Sequence, residues 1–124
     1  MVFGNIMREV TLKLKPSKDA PRISRSELAE MRDALGRRYD DAALIISELV
    51  TNSVRHSGDS TISVTVQTLA DRVRVEVSDG GPCFDPGEPR GEGLGLTFVE
   101  KLADRWGVEN SGPCTVWVEL ELEL

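Results

Sequence analysis

The sequence is poor in cysteine, histidine and aromatic side chains, and each shortage narrows the possible functions. Its 124 residues include two cysteines and one histidine, and aromatic residues make up 5%. The cysteines, Cys83 and Cys114, each follow a Gly-Pro pair, and neither belongs to a metal-binding spacing such as C-x-x-C. They therefore do not indicate a metal site, and in a reducing cytosol we expect both to be free thiols.

An excess of basic charge and long apolar runs are also missing. Lys and Arg number 15 against 21 Asp and Glu, so the formal net charge is -6. Proteins that bind duplex nucleic acid need a basic surface, and we expect no direct nucleic-acid partner. The first ten residues, MVFGNIMREV, do not resemble a signal peptide, and no later segment reaches membrane-spanning length. We expect a cytoplasmic protein with no membrane partner.

A period-two alternation of apolar and polar residues predicts the strands of a sheet. It occurs at residues 8–14, in two runs between residues 62 and 77, and from residue 116 to residue 124. The two middle runs are separated by TLADR and form an antiparallel hairpin. Because polar residues alternate with apolar ones in each run, the sheet has one dry face, and only that face can hold helices.

Apolar spacings of three and four residues predict three helices. The first covers about residues 21–36, the central one residues 42–58, and the third about residues 94–106. The apolar residues of the first helix are Ile23, Leu28, Met31 and Leu35, and those of the third are Leu94, Phe98, Leu102 and Trp106. We predict a single α+β domain over residues 1–124, with a core of about residues 8–122. Its architecture is a two-layer α/β sandwich, with three helices on one face of a mixed, mainly antiparallel sheet.

The central helix has the sequence AALIISELVTNSVRHSG and two different faces. Its apolar stripe consists of Ala43, Ile46, Val50 and Val54. We expect this stripe to be buried against the core. Asp40 or Asp41 provides an N-cap signal, and Gly58 provides a left-handed stop at the other end.

The polar face of this helix carries Glu48, Asn52 and His56 at successive steps of four residues. A solvated surface is the simplest interpretation of such a face. Two further motifs argue against it, namely DGGP at residues 79–82 after a strand and GEGLGL at residues 91–96 before a helix. The glycine-rich motif matches neither the dinucleotide fingerprint nor the P-loop. The order and spacing of all three motifs are more specific than any one of them.

Together the three motifs resemble the ATPase superfamily shared by DNA gyrase, the ninety-kilodalton heat-shock chaperones, histidine kinases and mismatch-repair ATPases. Within it, the segment ELVTNSVRH and the C-terminal stretch from ADRWGV to TVWVELEL resemble the bacterial anti-sigma regulatory factors. Those proteins are serine-protein kinases of the partner-switching type. The resemblance implies the histidine-kinase-like ATPase fold, also called the Bergerat fold, with ATP and Mg²⁺ as cofactors.

The resemblance assigns the phosphate end of the site to the central helix and the glycine-rich motif. Asn52 matches the residue whose amide oxygen binds Mg²⁺, an ion that is normally shared with nucleotide phosphates. Glu48 matches the carboxylate that orients or deprotonates the attacking hydroxyl. The implied phosphate-binding run comprises Gly93, Leu94, Gly95 and Leu96. Its two glycines would expose backbone N–H groups at the start of the third helix, and ordinary loop glycines are the alternative.

The base end of the site is assigned to the strands. Asp79 matches the residue that accepts a hydrogen bond from the adenine amine, although an aspartate here could simply start a turn. Gly81 would let the main chain approach the purine, and Thr115 matches a threonine that supports the Asp79 end of the pocket. For His56 we expect a structural, hydrogen-bonding role at the end of its helix.

Two departures from the family pattern concern the nucleotide lid, which we place at about residues 83–93. Cys83 occupies the last position of the usual D-x-G-x-G, and the segment DPGEPRG is short and contains two prolines. Lid opening would then be altered, and turnover slow.

The leading hypothesis is an ATP-dependent serine-protein kinase that also binds a sigma factor and phosphorylates a STAS-type anti-anti-sigma antagonist. A nucleotide-responsive binding module with little or no kinase activity is the alternative. The catalytic half of a histidine kinase fits poorly, because we find no helix with a phosphoacceptor histidine before this domain. The family commonly forms homodimers, and the first strand is a plausible edge for pairing.

Overall fold

The computed structural model of the chain describes residues 5–56, 58, 60–82 and 96–122. The strands are β1 (Arg8–Leu14), β2 (Ile62–Thr68), β3 (Arg72–Asp79), β4 (Arg105–Glu109) and β5 (Cys114–Glu121). The helices are α1 (Ala20–Leu28), α2 (Arg32–Leu35), α3 (Tyr39–His56) and α4 (Thr97–Leu102). Short 3-10 turns at Ala29–Met31 and Gly36–Arg38 join α1, α2 and α3.

The strands form one sheet in the order β1-β2-β3-β5-β4, and all described neighbours pair antiparallel. The predicted hairpin is β2 and β3. Buried and half-buried residues alternate along β2, β3 and β5, so one face of the sheet is dry. The central helix α3 packs on this face, and α1 and α4 pack beside α3. The predicted two-layer α+β architecture is confirmed.

A row of cross-strand neighbours on the dry face shows why these strands pair in this register. The row comprises Val10, Val66, Val75, Val118 and Trp106, one residue from each strand. The three central valines are buried, and the two outer residues pack partly buried against the core. Burial of a valine contributes about 1.5–3 kcal/mol. A slip of one residue would turn each valine towards solvent, which fixes the register.

The third helix is shorter than predicted, and the strand β4 follows it. The prediction that Trp106 lies in a helix is wrong, because α4 ends at Leu102 and Ala103 is extended, with ψ 137°. The backbone N–H of Asp104 then donates to the carbonyl of Glu119 at 3.0 Å, which joins the chain to β5. Leu102 and Trp106 are four residues apart, a spacing that fits one long helix as well as a helix followed by a strand. Pairing with β5 decides between them.

The first predicted helix is divided into α1, a 3-10 turn and α2. Leu28, Met31 and Leu35 are buried as expected, but Ile23 is 37% exposed. The buried positions of α1 are Ala20, Ser24 and Leu28. This stripe with a spacing of four leaves Ile23 at its margin. The segment ends at Gly36, whose φ of 52° and ψ of -125° favour glycine.

Helix α3 begins earlier than predicted and presents a slightly different face to the core. It starts at Tyr39 directly after a 3-10 turn, so Asp40 and Asp41 lie in its first turn and are not N-caps. Its buried residues are Ala42, Ile45, Ile46, Leu49, Val50 and Ser53. In the predicted stripe, Ala43 and Val54 are only partly buried. Gly58 has a φ of 64°, as a left-handed stop requires.

A single arginine, Arg38, connects the start of α3 to the segments that follow α4 and end β5. The Arg38 guanidinium lies 3.1 Å from the Asp41 carboxylate and 3.2 Å from that of Asp104. It also donates to the carbonyl oxygens of Leu102 and Glu121 at 2.8 Å and 3.2 Å. These contacts hold α3, the end of α4 and the end of β5 together. In the described part of the chain, no helix has the length and apolar character needed to cross a bilayer.

Candidate functional site

A cavity of about 210 Å³ lies between the C-terminal half of α3 and the ends of β3 and β5. Its lining comprises Leu49, Asn52, Ser53, His56, Val77, Asp79, Pro82, Leu96, Cys114 and Val116. The helical layer contributes Asn52 and the sheet contributes Asp79, so two motifs that are distant in the sequence meet here. Pockets for drug-sized ligands measure about 300–1,000 Å³. This smaller, mainly apolar space suits a planar base, with any further part of the ligand lying outside it.

Asp79 is the last residue of β3 and is paired with Cys114 of β5. Its Oδ1 atom accepts a hydrogen bond from the backbone N–H of Gly81 at 2.7 Å. The carboxylate thus starts a turn, which was the alternative to adenine recognition, and it also lines the cavity. A carboxylate has about four lone-pair sites, so the bond to Gly81 leaves acceptor capacity for a ligand amine.

Close packing behind the DGGP turn involves Gly80, which the sequence analysis did not single out. Its backbone N–H donates to the Ser60 hydroxyl at 3.0 Å. A Cβ atom on Gly80 would lie 3.0 Å from the Cβ of Ser60, tighter than ordinary van der Waals contact. The turn after β3 is therefore held against the segment that leads into β2.

Asn52 lies where the cavity meets a second, more open depression on the other side of α3. This depression, which we call the α3–α4 groove, has a volume of about 430 Å³. Its lining comprises Leu44, Ser47, Glu48, Thr51, Asn52, Arg55 and Phe98. A ligand that extends from the cavity past Asn52 would enter this groove beside Glu48.

The chemistry of the Asn52 position fits the predicted Mg²⁺. The ion prefers hard oxygen ligands and usually takes few from the protein, the rest coming from water and substrate phosphates. Asn52 carries one amide oxygen and lines the cavity. Among the described residues there is no group of three or more His, Cys, Asp or Glu side chains that could hold a metal ion by itself.

The Glu48 carboxylate is bound to the first turn of α4. Its Oε1 atom accepts hydrogen bonds from the backbone N–H groups of Phe98 and Val99 at 3.0 Å and 3.1 Å, and Oε2 lies 3.2 Å from the Phe98 nitrogen. The first N–H groups of a helix have no partner within the helix. Glu48 supplies a hydrogen-bond acceptor for these groups from α3. Sequence spacing alone does not reveal this contact.

The remaining predicted site residues occupy different positions. Leu96 is 3% exposed and lines the cavity just before α4. Thr115 lies on β5 opposite Ser78, and its hydroxyl donates to the carbonyl of Pro113 at 3.1 Å. Its neighbours Cys114 and Val116 line the cavity and Thr115 does not, because successive strand residues face opposite sides. Gly93, Leu94 and Gly95 lie outside the described residues, as does the predicted lid.

His56 lines the cavity one turn after Asn52, and the sequence analysis did not count it among the site residues. Among the described residues no hydrogen bond or ion pair of the imidazole is found, and the structural hydrogen-bonding role at the end of the helix stays a prediction. The signal was its spacing of four residues from Asn52, which on a helix places the two side chains on one face.

Cys114 is disulfide-bonded, so the expectation of a free thiol is wrong for this residue. Cys83, the only other cysteine in the sequence, lies outside the described residues. The expectation was based on the cellular compartment. Whether two cysteines can pair depends on the distance and direction of their side chains, which the sequence does not give. Cys114 is 8% exposed and forms part of the cavity wall.

Comparison with known proteins shows a family and several proteins that this chain resembles. A family model described as histidine kinase-, DNA gyrase B-, and HSP90-like ATPase matches residues 38–124, which include all three motifs. The chain is 29% identical to the serine-protein kinase RsbW of Listeria monocytogenes, with 77% of this chain and 76% of the relative aligned. It is 24% identical to the serine-protein kinase RsbW of Staphylococcus aureus, with 86% and 82% aligned.

A solved structure shares the fold. It contains the RsbU and RsbW domains of Rv1364c from Mycobacterium tuberculosis, and it matches with a TM-score of 0.74 at 23% identity. The match covers 94% of this chain and 33% of that one. At this level of identity the likeness concerns the fold alone.

Proposed function

Because the chain belongs to the family of histidine kinase-, DNA gyrase B- and HSP90-like ATPases, we propose that it is an ATP-dependent serine-protein kinase and anti-sigma factor. The observation that carries the proposal is that Asn52 and Asp79 line one cavity, from the helical layer and from the sheet. The relatives from Listeria monocytogenes and Staphylococcus aureus are named serine-protein kinases, which supports the choice of a protein serine as phosphoryl acceptor.

In this proposal the adenine base occupies the apolar part of the cavity, between Leu49 and Val77. The Asp79 carboxylate accepts a hydrogen bond from the exocyclic amine of adenine. Guanine presents a carbonyl oxygen at the same position, which a carboxylate repels. The pocket thereby selects adenine, and the hydrogen bond from Gly81 holds the Asp79 side chain in place for this contact.

The phosphates extend from the cavity past Asn52. The amide oxygen of Asn52 would hold Mg²⁺ together with phosphate oxygens, and the ion would neutralise charge during transfer. Glu48 lies one turn away in the α3–α4 groove, where it can orient the serine hydroxyl of a protein substrate and accept its proton. The serine oxygen would bond to the γ-phosphorus as the bond to the leaving ADP oxygen breaks.

We assign two protein partners to the chain on the basis of its family. One is a sigma factor, which it would bind and hold inactive, and the other is a STAS-type anti-anti-sigma protein, which it would phosphorylate. The outer edge of β1 remains our candidate for pairing two copies into a homodimer, since β1 is one of the two outer strands of the described sheet and is hydrogen-bonded there to β2 alone.

The test is incubation of the purified chain with a STAS-type antagonist, labelled ATP and Mg²⁺. Label on a serine of the antagonist is the expected result, and it should disappear when Mg²⁺ is removed. If ATP binds but no serine is labelled, the kinase part of the proposal fails. If adenine nucleotides do not bind even at millimolar concentration, the nucleotide-binding part fails as well.

A nucleotide-responsive binding module without kinase activity is the second candidate. The observation in its favour is the bonding of Glu48, whose carboxylate already accepts hydrogen bonds from two backbone N–H groups of α4. These two donors occupy about half of the roughly four lone-pair sites of the carboxylate, which leaves less acceptor capacity for a substrate hydroxyl. ATP-dependent binding of a sigma factor without phosphorylation of any antagonist would favour this function.

A further inference from the structure

The contact between Glu48 and α4 has no role in the proposed phosphoryl transfer. Helix α4 has six residues, and the residue at its N-cap position, Leu96, has no side-chain oxygen to bind the exposed N–H groups. Glu48 reaches from α3 and accepts hydrogen bonds from Phe98 and Val99. A carboxylate at the first turn of a helix is also favoured by the helix dipole. Glu48 thus acts as the missing cap of α4 from a different helix.

The position of α4 matters for the cavity, because Leu96 directly precedes the helix and forms part of the cavity wall. Val99 is fully buried and Leu96 is 3% exposed, so both residues are packed into the core. Apart from this packing in the core, α4 contacts mainly α3. A short helix that is held mainly by one neighbour depends strongly on each bond to that neighbour.

We propose that Glu48 is a positioning residue for nucleotide binding as well as the predicted catalytic residue. Its carboxylate holds α4 against α3 and thereby keeps Leu96 in the wall of the base cavity. The inference deepens the proposed function and rests on it for the identity of the nucleotide. It predicts that removal of the side chain weakens ATP binding, whereas a residue that only deprotonates the substrate would affect transfer alone.

Two substitutions at this position separate the roles. Glu48→Gln keeps an acceptor oxygen that can replace Oε1 and bond both N–H groups, but it cannot accept the serine proton. Glu48→Ala removes the base and the cap together. Both variants should lose phosphoryl transfer. The dissociation constant for ATP should rise by about tenfold or more in Glu48→Ala, because charge-assisted hydrogen bonds are lost. In Glu48→Gln it should rise by less than about threefold.

Amide hydrogen exchange of Phe98 and Val99 tests the contact without nucleotide. Protection of these two amides should be lost in Glu48→Ala and largely kept in Glu48→Gln. A matched control is Glu76→Gln on the outer face of the sheet, where the carboxylate lies 3.7 Å from Arg74 and does not contact α4. This variant should leave ATP affinity and both amides unchanged.

The outcomes are distinct. Equal ATP affinities and equal amide protection in Glu48→Ala and Glu48→Gln would overturn the inference. If Glu48→Ala does not fold, Val99→Ala offers a second route, since it loosens α4 and leaves Glu48 intact. It should weaken ATP binding, and unchanged affinity would again overturn the inference. If the unsubstituted chain does not bind ATP, the proposed function fails, while the amide exchange still decides the contact.

Discussion

The side chains of Asn52 on α3 and Asp79 at the end of β3 line the same cavity, one from the helical layer and one from the sheet. They are brought together because α3 packs on the dry face of the sheet beside β3. A ligand that fills this space would meet both an amide and a carboxylate. The two groups can therefore be tested separately, one for the base and one for the metal ion.

Replacement of Asp79 by asparagine tests recognition of the base. The change puts either an amide N–H2 donor or a reoriented carbonyl oxygen where the carboxylate accepts from the ligand amine. We expect the dissociation constant for ATP to rise by about 10- to 100-fold, which corresponds to loss of one charge-assisted hydrogen bond. Isothermal titration with ATP measures this dissociation constant.

The control for this substitution is Asp71→Asn. Asp71 lies in the turn between β2 and β3 with a side chain that is 67% exposed, and its carboxylate bonds to the neighbouring Arg72. The Asp71→Asn substitution should leave ATP affinity unchanged. An Asp79→Asn variant that binds ATP as tightly as the original chain would show that Asp79 only starts the turn to Gly81.

Replacement of Asn52 by alanine tests the metal ion. In the original chain, ATP should bind more tightly with Mg²⁺ than with a chelator present. The Asn52→Ala variant should lose most of this difference, because the amide oxygen is the predicted protein ligand. Titrations with and without Mg²⁺ measure the effect. Thr51→Ala, which changes the α3–α4 groove but not the cavity, should retain the full Mg²⁺ dependence, and a normal response in Asn52→Ala would contradict the assignment.

The sequence predicts those features that depend on local periodicity. The alternation through Val64 and Val66 identifies β2, and the steps of four from Glu48 to Asn52 identify the polar face of α3. Trp106 was misplaced because its spacing from Leu102 fits a helix, and only the pairing of β4 with β5 excludes one. Local patterns carry no information about such long-range pairing.

The parts of the site that could not be predicted depend on how elements approach each other. The bonds from Phe98 and Val99 to Glu48 join residues about 50 positions apart in the chain. The family resemblance gave Glu48 a chemical role, and only the structure shows what its carboxylate touches. The disulfide at Cys114 was missed for a related reason, since it depends on spatial distance.

A half-buried acidic residue, Glu119, on the outer face of the sheet predicts how stability varies with pH. The Glu119 side chain is 12% exposed, and its carboxylate lies 3.2 Å from Arg74 and 3.0 Å from Arg105. Burial alone would raise the pKa of Glu119, but hydrogen bonds from Arg105 and Arg74 and the charge of Arg72 lower it below the ordinary 4.5. The ionised form is thus favoured in the folded protein.

A carboxyl group with a lowered pKa stabilises the fold at pH values above its unfolded pKa, and the effect is lost as the pH falls through the folded value. Stability should therefore decrease below about pH 4.5. Glu119→Gln should lower the free energy of unfolding by about 1.5–3 kcal/mol at pH 7. It should also make that free energy vary less with pH between pH 7 and strong acid. Urea unfolding at several pH values measures both. Glu9→Gln on β1 is the control, and an unchanged slope in Glu119→Gln would contradict the assignment.

Close packing between β4 and β5 gives a prediction about the sheet itself. Gly107 is the cross-strand neighbour of Trp117, and a Cβ atom on Gly107 would lie 2.9 Å from three atoms of the indole ring. The Arg74 guanidinium stacks 4.6 Å from the centre of the Trp117 ring, which restricts movement of the ring. Gly107→Ala should therefore destabilise the domain by about 1–3 kcal/mol, the usual cost of overpacking.

Denaturant unfolding followed by tryptophan fluorescence measures this effect. Gly112→Ala is the matched control, because a Cβ atom there meets nothing within 4 Å, and the change should stay within about 0.5 kcal/mol. Adding Trp117→Phe to Gly107→Ala should recover part of the loss, since the smaller ring does not extend to the Cζ2 position and can shift away from the new methyl group. If the two substitutions are additive, the contact between Gly107 and the indole does not limit packing at this edge.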